Sequence, residues 1–187
     1  MPEVKKIVCL ANSRKHSQKS NGRCIAGIEI VGGRPAGWVR PVSSRPGAEV
    51  SEYERQYEDG SDPQVLDLIN VPLLEPVPVG YQVENWRLDP DLYWARTRRV
   101  TWAHLPQLED TADDLWPSTD PSTRFGMRDR VLASTADSFD YSLRLIRVDE
   151  LKIRVFAPGA DFGNPKRRVQ AGSSMRAPST GCGSPTR

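Results

Sequence analysis

Five basic residues fall within ten positions near the N-terminus. Arg14, Lys15, His16, Lys19 and Arg23 share one polar loop, residues 12–23, with no acid among them. Clustered cations without counter-charges raise the local positive potential and suit a phosphate-bearing polyanion. Other chemistries find little footing. The two histidines, His16 and His104, have no HxxxH, HxE or CxxC partner, which argues against a His-based metal site or a Cys–His nucleophile. The carboxylates of residues 51–120 form no DxD or ExK string on an evident strand pair. Neither GxxxxGK[ST] nor GxGxxG occurs. No catalytic residue, metal site or cofactor is therefore expected.

The elements that must position the basic loop are short and β-like. Apolar runs at 7–11, 24–30 and 37–42 are separated by the loop and by Gly32-Gly33, the pattern of an antiparallel meander. Ser51 and Glu54 have capping-box spacing at the start of a helical turn. Residues 65–71 form a buried-strand candidate stopped by Pro72, and residues 81–88 another strand. Residues 101–116 place Trp102, Leu105, Leu108, Ala112 and Leu115 at helical spacing, predicting an amphipathic helix with its aromatics in the core. Two further runs, 143–148 and 151–155, read as strands. In the second, Leu151, Ile153 and Val155 alternate with Lys152 and Arg154. Another strand is expected to begin at Lys166-Arg167-Arg168-Val169. The fold class is mainly β with minor α, as two small barrel-like units.

The 187 residues suffice for one domain or two small ones. No apolar stretch reaches the ~18–20 residues of a membrane helix, and no secretory signal is seen, so a cytoplasmic location without membrane partners is expected. Cys9, Cys24 and Cys182 lack metal spacing. The first two are expected as buried thiols on neighbouring strands. Net charge is only +2, but it is unevenly spread. Residues 1–50 hold nine Lys/Arg against three acids, residues 51–120 five against fifteen, and residues 121–187 twelve against six.

Several strings taken together resemble one family. Cys9-Leu-Ala-Asn-Ser-Arg-Lys15, Gly22-Arg-Cys-Ile-Ala-Gly27, Gly37-Trp-Val-Arg-Pro41 and Tyr57-Glu-Asp-Gly60 are similar to bacterial proteins described as dual OB domain-containing. Gln82-Val-Glu-Asn85, Tyr93-Trp94 and Lys166-Arg-Arg-Val169 follow in the same order, so the resemblance spans roughly residues 4–171. It implies two tandem OB-like β-barrels with an intervening helix, and an accessory role in prokaryotic conflict or antiviral defence. Residues 1–116 would form the first OB-like domain with an acidic insert and helix. Residues 117–125 would be a linker, and 126–171 a partial second OB-like domain. No catalytic residues come with the resemblance.

OB barrels bind single strands through a basic groove and aromatic stacking faces. On that expectation Asn12, Ser13, Arg14, Lys15 and Arg23 form one nucleic-acid-binding group, Trp38 with Arg40 a second, and Lys166, Arg167 and Arg168 a third. Trp38 has two readings, base stacking or core packing, with core slightly favoured. The partner would be single-stranded DNA or RNA. A protein-interaction adaptor for a partner encoded nearby is the alternative, and a nucleotide sensor or nuclease a less favoured one.

Residues 172–187, rich in Ser, Gly, Pro and Thr, are expected to be a disordered tail that leaves the second barrel incomplete. From the third base of the Ala171 codon, the same nucleotides can encode R-F-V-Y-A-G-T-E-Y-R-L-W-V-T-D-P. That string resembles the Y-x-G-x-x-Y-x-L-x-V-T-D-P ending associated with the dual OB group. The expectation is a truncated or frameshifted C-terminus, and resequencing the locus tests it.

Overall fold

A computed structural model describes residues 3–14, 22–111, 115 and 130–174. The chain divides into two units, Met1–Leu108 with Ser118–Arg144, and Glu109–Pro117 with Leu145–Arg187. The expected linker at 117–125 lies outside the described residues.

The first unit is built on strands β1 (Glu3–Arg14), β2 (Arg23–Val31), β3 (Arg34–Val42), β4 (Asp67–Pro76), β5 (Asn85–Leu88) and β6 (Ala95–Arg99). Their order is β1-β2-β3-β5-β4-β6, and β1 also pairs with β4. The first five therefore close into a ring, with β3 and β5 parallel and every other pair antiparallel. This is the partly open Greek-key barrel of an OB fold. Ile7, Cys9, Ile25, Val39, Ile69, Val71, Leu73 and Leu88 fill its interior with Val50, Tyr57 and Trp94. Alternate residues point outward. Yet Val8, Ile28 and Leu68, in register across β1, β2 and β4, are also buried, so this outer wall is covered.

The meander forms as the apolar runs require. Gly32 and Gly33 both take positive φ, +58° and +82°, as a tight hairpin turn demands. The Ser51 capping box closes over the single turn α1 (Glu52–Arg55), with both reciprocal bonds made. Pro72 does not stop β4. It sits where the neighbour of β4 changes from β6, paired up to Asn70, to β5, paired from Leu73, a gap that tolerates a missing donor.

Gly27 faces Cys9 across the ladder, beside a bulge in β1. A Cβ there would lie 2.2 Å from the Val8 carbonyl oxygen, a backbone atom with no rotamer to yield. Gly27→Ala is thus expected to destabilise the first unit by about 1–3 kcal/mol, the usual range for overpacking. A urea midpoint unchanged from wild type would contradict this.

Four expectations are corrected. Among the described residues of the helix expected over 101–116 there is only a 3-10 turn, Trp102–Gln107, because Pro106 lies inside it and lacks the N–H that would continue an α-helix. Trp102, expected in the core, is 72% exposed. Residues 143–148 form no strand. The backbone N–H groups of Leu143, Leu145 and Arg147 are instead taken by the carboxylates of Glu84, Asp110 and Glu109. Cys24 is exposed, although Cys9 is buried as expected.

The described part of the second unit contains the antiparallel hairpin β7 (Glu150–Phe156) and β8 (Arg168–Ser174), joined through a short 3-10 turn, Ala160–Phe162. β8 runs through Gly172–Ser174, so the first three residues of the expected disordered tail are instead strand, paired with residues 150–152. The remaining tail lies outside the described residues. Another short helix, α2 (Ala133–Ala136), belongs to the first unit. The architecture is mainly β with few helices, consistent with OB-like domains.

Candidate nucleic-acid interface

The β1–β2 ladder brings the first group of site residues together. Asn12, Ser13 and Arg14 stand opposite Ile25, Cys24 and Arg23. The side chains serve the barrel itself. Asn12 Nδ2 donates to the Pro63 carbonyl at 2.6 Å, and its Oδ1 accepts from Arg23 Nη1 at 3.2 Å. Arg23 Nη2 also lies 3.5 Å from Asp62 Oδ2. Ser13 Oγ donates to the Cys24 carbonyl. Arg14 is placed by its backbone only, and Lys15 lies outside the described residues.

The second group is likewise built into the wall. Arg40 Nε donates to Asn85 Oδ1 at 2.6 Å, and the Arg40 backbone N–H donates to the Glu84 carbonyl at 2.8 Å. Trp38 is half-buried and in register with Ile28 on the covered outer wall. Trp38→Ala is therefore expected to cost stability, but less than the ~3–5 kcal/mol of a fully buried aromatic. A thermal melt on the variant checks it, and an unchanged Tm would contradict the packing role.

Lys166, Arg167 and Arg168 are different. All three are exposed, and among the described residues their side chains have no polar partner. They lead into a hairpin with two unlike faces. Register puts Leu151, Ile153 and Val155 beside Ser173, Ala171 and Val169 on one side. Glu150, Lys152, Arg154 and Phe156 lie beside Ser174, Gly172, Gln170 and Arg168 on the other. Arg154 stacks over the Phe156 ring at 5.4 Å, and Phe156 pairs with Arg168. Lys152 is held by Glu150 in an exposed ion pair. This face thus sets two arginines, Arg154 and Arg168, beside one aromatic ring, the kind of combination that grips a backbone and stacks a base.

Several buried polar groups of the barrel find partners within it. Asp67, fully buried, accepts from the Tyr57 hydroxyl and the Gln64 N–H and lies 3.2 Å from Arg99 Nε. Burial, with Asp67 nearby, pushes the Cys9 thiol up to about 12. The same two causes push the Tyr57 phenol upward. Neither is a nucleophile or base near neutral pH. Burial disfavours the Glu54 carboxylate, but hydrogen bonds from Ser43 and Ser51, with Arg45 beside it, outweigh that and hold its pKa below the usual value. His104 Nδ1 caps Thr101 at 2.9 Å. Among the described residues no group of three or more His, Cys, Asp or Glu could hold a metal ion.

The model of the dual OB-containing domain family matches residues 5–177. The chain belongs to this family. No curated protein and no solved structure matches it. As a dual OB-containing protein its architecture is that of a binding module. Several residues of the strings that carried the resemblance have structural roles. Asn12 ties β1 to Pro63, Tyr57 satisfies Asp67, and Asn85 holds Arg40. Glu84 accepts from Ser142 N, Ser142 Oγ and Leu143 N, pinning the returning segment to the first unit. Among the described residues no helix is long and apolar enough to cross a membrane.

Sequence reasoning passed over β6, whose residues are all exposed and include Arg96, Arg98 and Arg99. A charge count in short windows would have found it, because residues 92–108 contain no acid.

Proposed function

We propose that this chain is a non-catalytic module that binds single-stranded nucleic acid and serves a prokaryotic defence or nucleic-acid-processing system. The observation that carries this reading is the charged face of the β7–β8 hairpin. Lys166, Arg167 and Arg168 are exposed and free of polar partners among the described residues, and Arg168 stands in register with Phe156, over which Arg154 stacks. OB-type folds bind single strands with such cation and ring combinations. The defence role rests on the resemblance to bacterial conflict-associated proteins, and the genes neighbouring the locus test it.

The experiment is a salt-dependent titration of the full chain with a labelled single-stranded oligonucleotide. Replacing Lys166, Arg167 and Arg168 together by alanine should reduce the salt slope by ~2 units, at ~0.7 per phosphate contact on single strands. An unchanged slope with a normal fold would remove this face as the site.

The adaptor reading has one observation in its favour, the exposed apolar side of the same hairpin, with Ile153 64% and Val169 71% accessible. On that reading the triple substitution leaves partner capture intact and no oligonucleotide binds the wild type.

A further inference from the structure

We propose that β6 is a second single-strand-binding surface, located outside the closed ring of the first barrel. Its arginines would follow the phosphodiester backbone, and Tyr93 and Trp102 at its two ends would offer base-stacking faces. This rests on the reading of the chain as a nucleic-acid-binding module and adds a site to it.

β6 is not needed to close the barrel, since β1, β2, β3, β5 and β4 already form the ring. It hydrogen-bonds only to β4 in the sheet, which leaves its other edge open among the described residues. The strand reads Ala-Arg-Thr-Arg-Arg and all five residues are exposed. Three of the five Lys/Arg of residues 51–120 are concentrated here, in an otherwise acidic segment. Regional charge therefore does not explain the strand.

Two of the arginines are held in place and one is free. Arg99 Nε lies 3.2 Å from buried Asp67 Oδ1, and Arg99 Nη2 donates to the Val65 carbonyl. Arg96 stacks 5.7 Å over the Tyr57 ring, whose hydroxyl donates to the same Asp67. A bulge at Thr97 puts Arg96 and Arg99 in register with Ile69 and Asp67, which share one face of β4, while Arg98 stands opposite Leu68 on the other. Arg98 has no partner among the described residues. The flanking rings are open to solvent, Tyr93 at 55% and Trp102 at 72%. Single-strand sites combine backbone-tracking cations with stacking aromatics, and arginine adds cation–π contact with bases.

The plainer explanation is edge protection, in which charged side chains keep an open strand from pairing with other chains. That accounts for the arginines and leaves the two exposed rings without a role. It is also indifferent to the sign of the charge, which makes it separable by experiment.

The test uses the full chain with fluorescein-labelled oligo-dT and oligo-U, comparing wild type, Arg98→Glu, Trp102→Ala and the Lys166/Arg167/Arg168 alanine variant. The exposure of Arg98 and Trp102 keeps the fold intact, and unchanged melting curves confirm it. The expected result is binding roughly 5- to 150-fold weaker for Trp102→Ala, the range of one lost base stack. Arg98→Glu should lower the salt slope by at least ~0.7. Trp102 emission should also be quenched on oligonucleotide addition in wild type. If wild type binds, the Lys166 group variant weakens it, and both β6 variants bind as wild type, the β6 site is overturned while the module reading stands. If no oligonucleotide binds wild type, the module reading itself fails. Binding of an acidic peptide at β6, with the variants losing the peptide but not the oligonucleotide, also overturns the proposal.

Discussion

Arg55→Met should lower the stability of the first unit by about 3 kcal/mol, the low end for breaking a buried ion pair. Arg55 is 2% exposed at the end of α1. Its Nε and Nη2 reach the two Asp62 carboxylate oxygens at 3.0 and 3.2 Å, and Nη1 donates to the Val50 carbonyl at 3.2 Å. Methionine fills similar space but leaves the Val50 carbonyl short of one donor and Asp62 with Arg23 alone. The low end applies because the Asp62 side chain is 24% accessible and water can rehydrate it. Arg55→Lys should recover little, since a point charge cannot reproduce the planar fork. Arg45→Ala, removing a half-exposed partner of Glu54, should cost at most about 1 kcal/mol. Urea midpoints measure all three. A loss below 1 kcal/mol for Arg55→Met would mean that the network does not hold α1 to the barrel.

Trp94→Ala is expected to cost about 3–5 kcal/mol, as for other buried aromatics truncated to alanine. Trp94 is 1% exposed and belongs to the barrel core, and its backbone N–H donates to the Gln56 carbonyl. Its indole Nε1 is buried without a partner. Trp94→Phe therefore removes an unsatisfied donor along with some volume, and should cost under about 1.5 kcal/mol. The neighbouring Tyr93→Ala should change stability by no more than ~0.5 kcal/mol, as surface substitutions do. Equal losses at 93 and 94 would contradict the inside–outside division of this dipeptide.

Local patterns foretold the parts of the fold that local forces decide. The 7–42 meander, its Gly32-Gly33 turn, the Ser51–Glu54 capping box and the alternation of β7 all appear where the residues demand them. Periodicity misled at the start of 101–116, where the apolar spacing is helical but Pro106 limits the described element to one short 3-10 stretch. It misled again at 143–148, where distant carboxylates, not a neighbouring strand, take the backbone donors. Candidate-site residues posed a different problem. Asn12, Arg23 and Arg40 have the side chains of a phosphate site, but their partners Pro63, Asp62 and Asn85 are 51, 39 and 45 residues away, beyond any local pattern. The exposed cations at 166–168 were visible because nothing distant among the described residues engages them. Those of β6 were lost in the average charge of an acidic segment.

The most direct measurement is the anisotropy of one labelled oligonucleotide titrated with the full chain, single-stranded and then annealed to its complement, at several salt concentrations. The account predicts binding to the single strand that weakens linearly on a log–log plot with salt, with a slope of at least ~2 from three or more phosphate contacts, and weaker binding to the duplex. No binding at the lowest salt, or an affinity indifferent to salt, would contradict it.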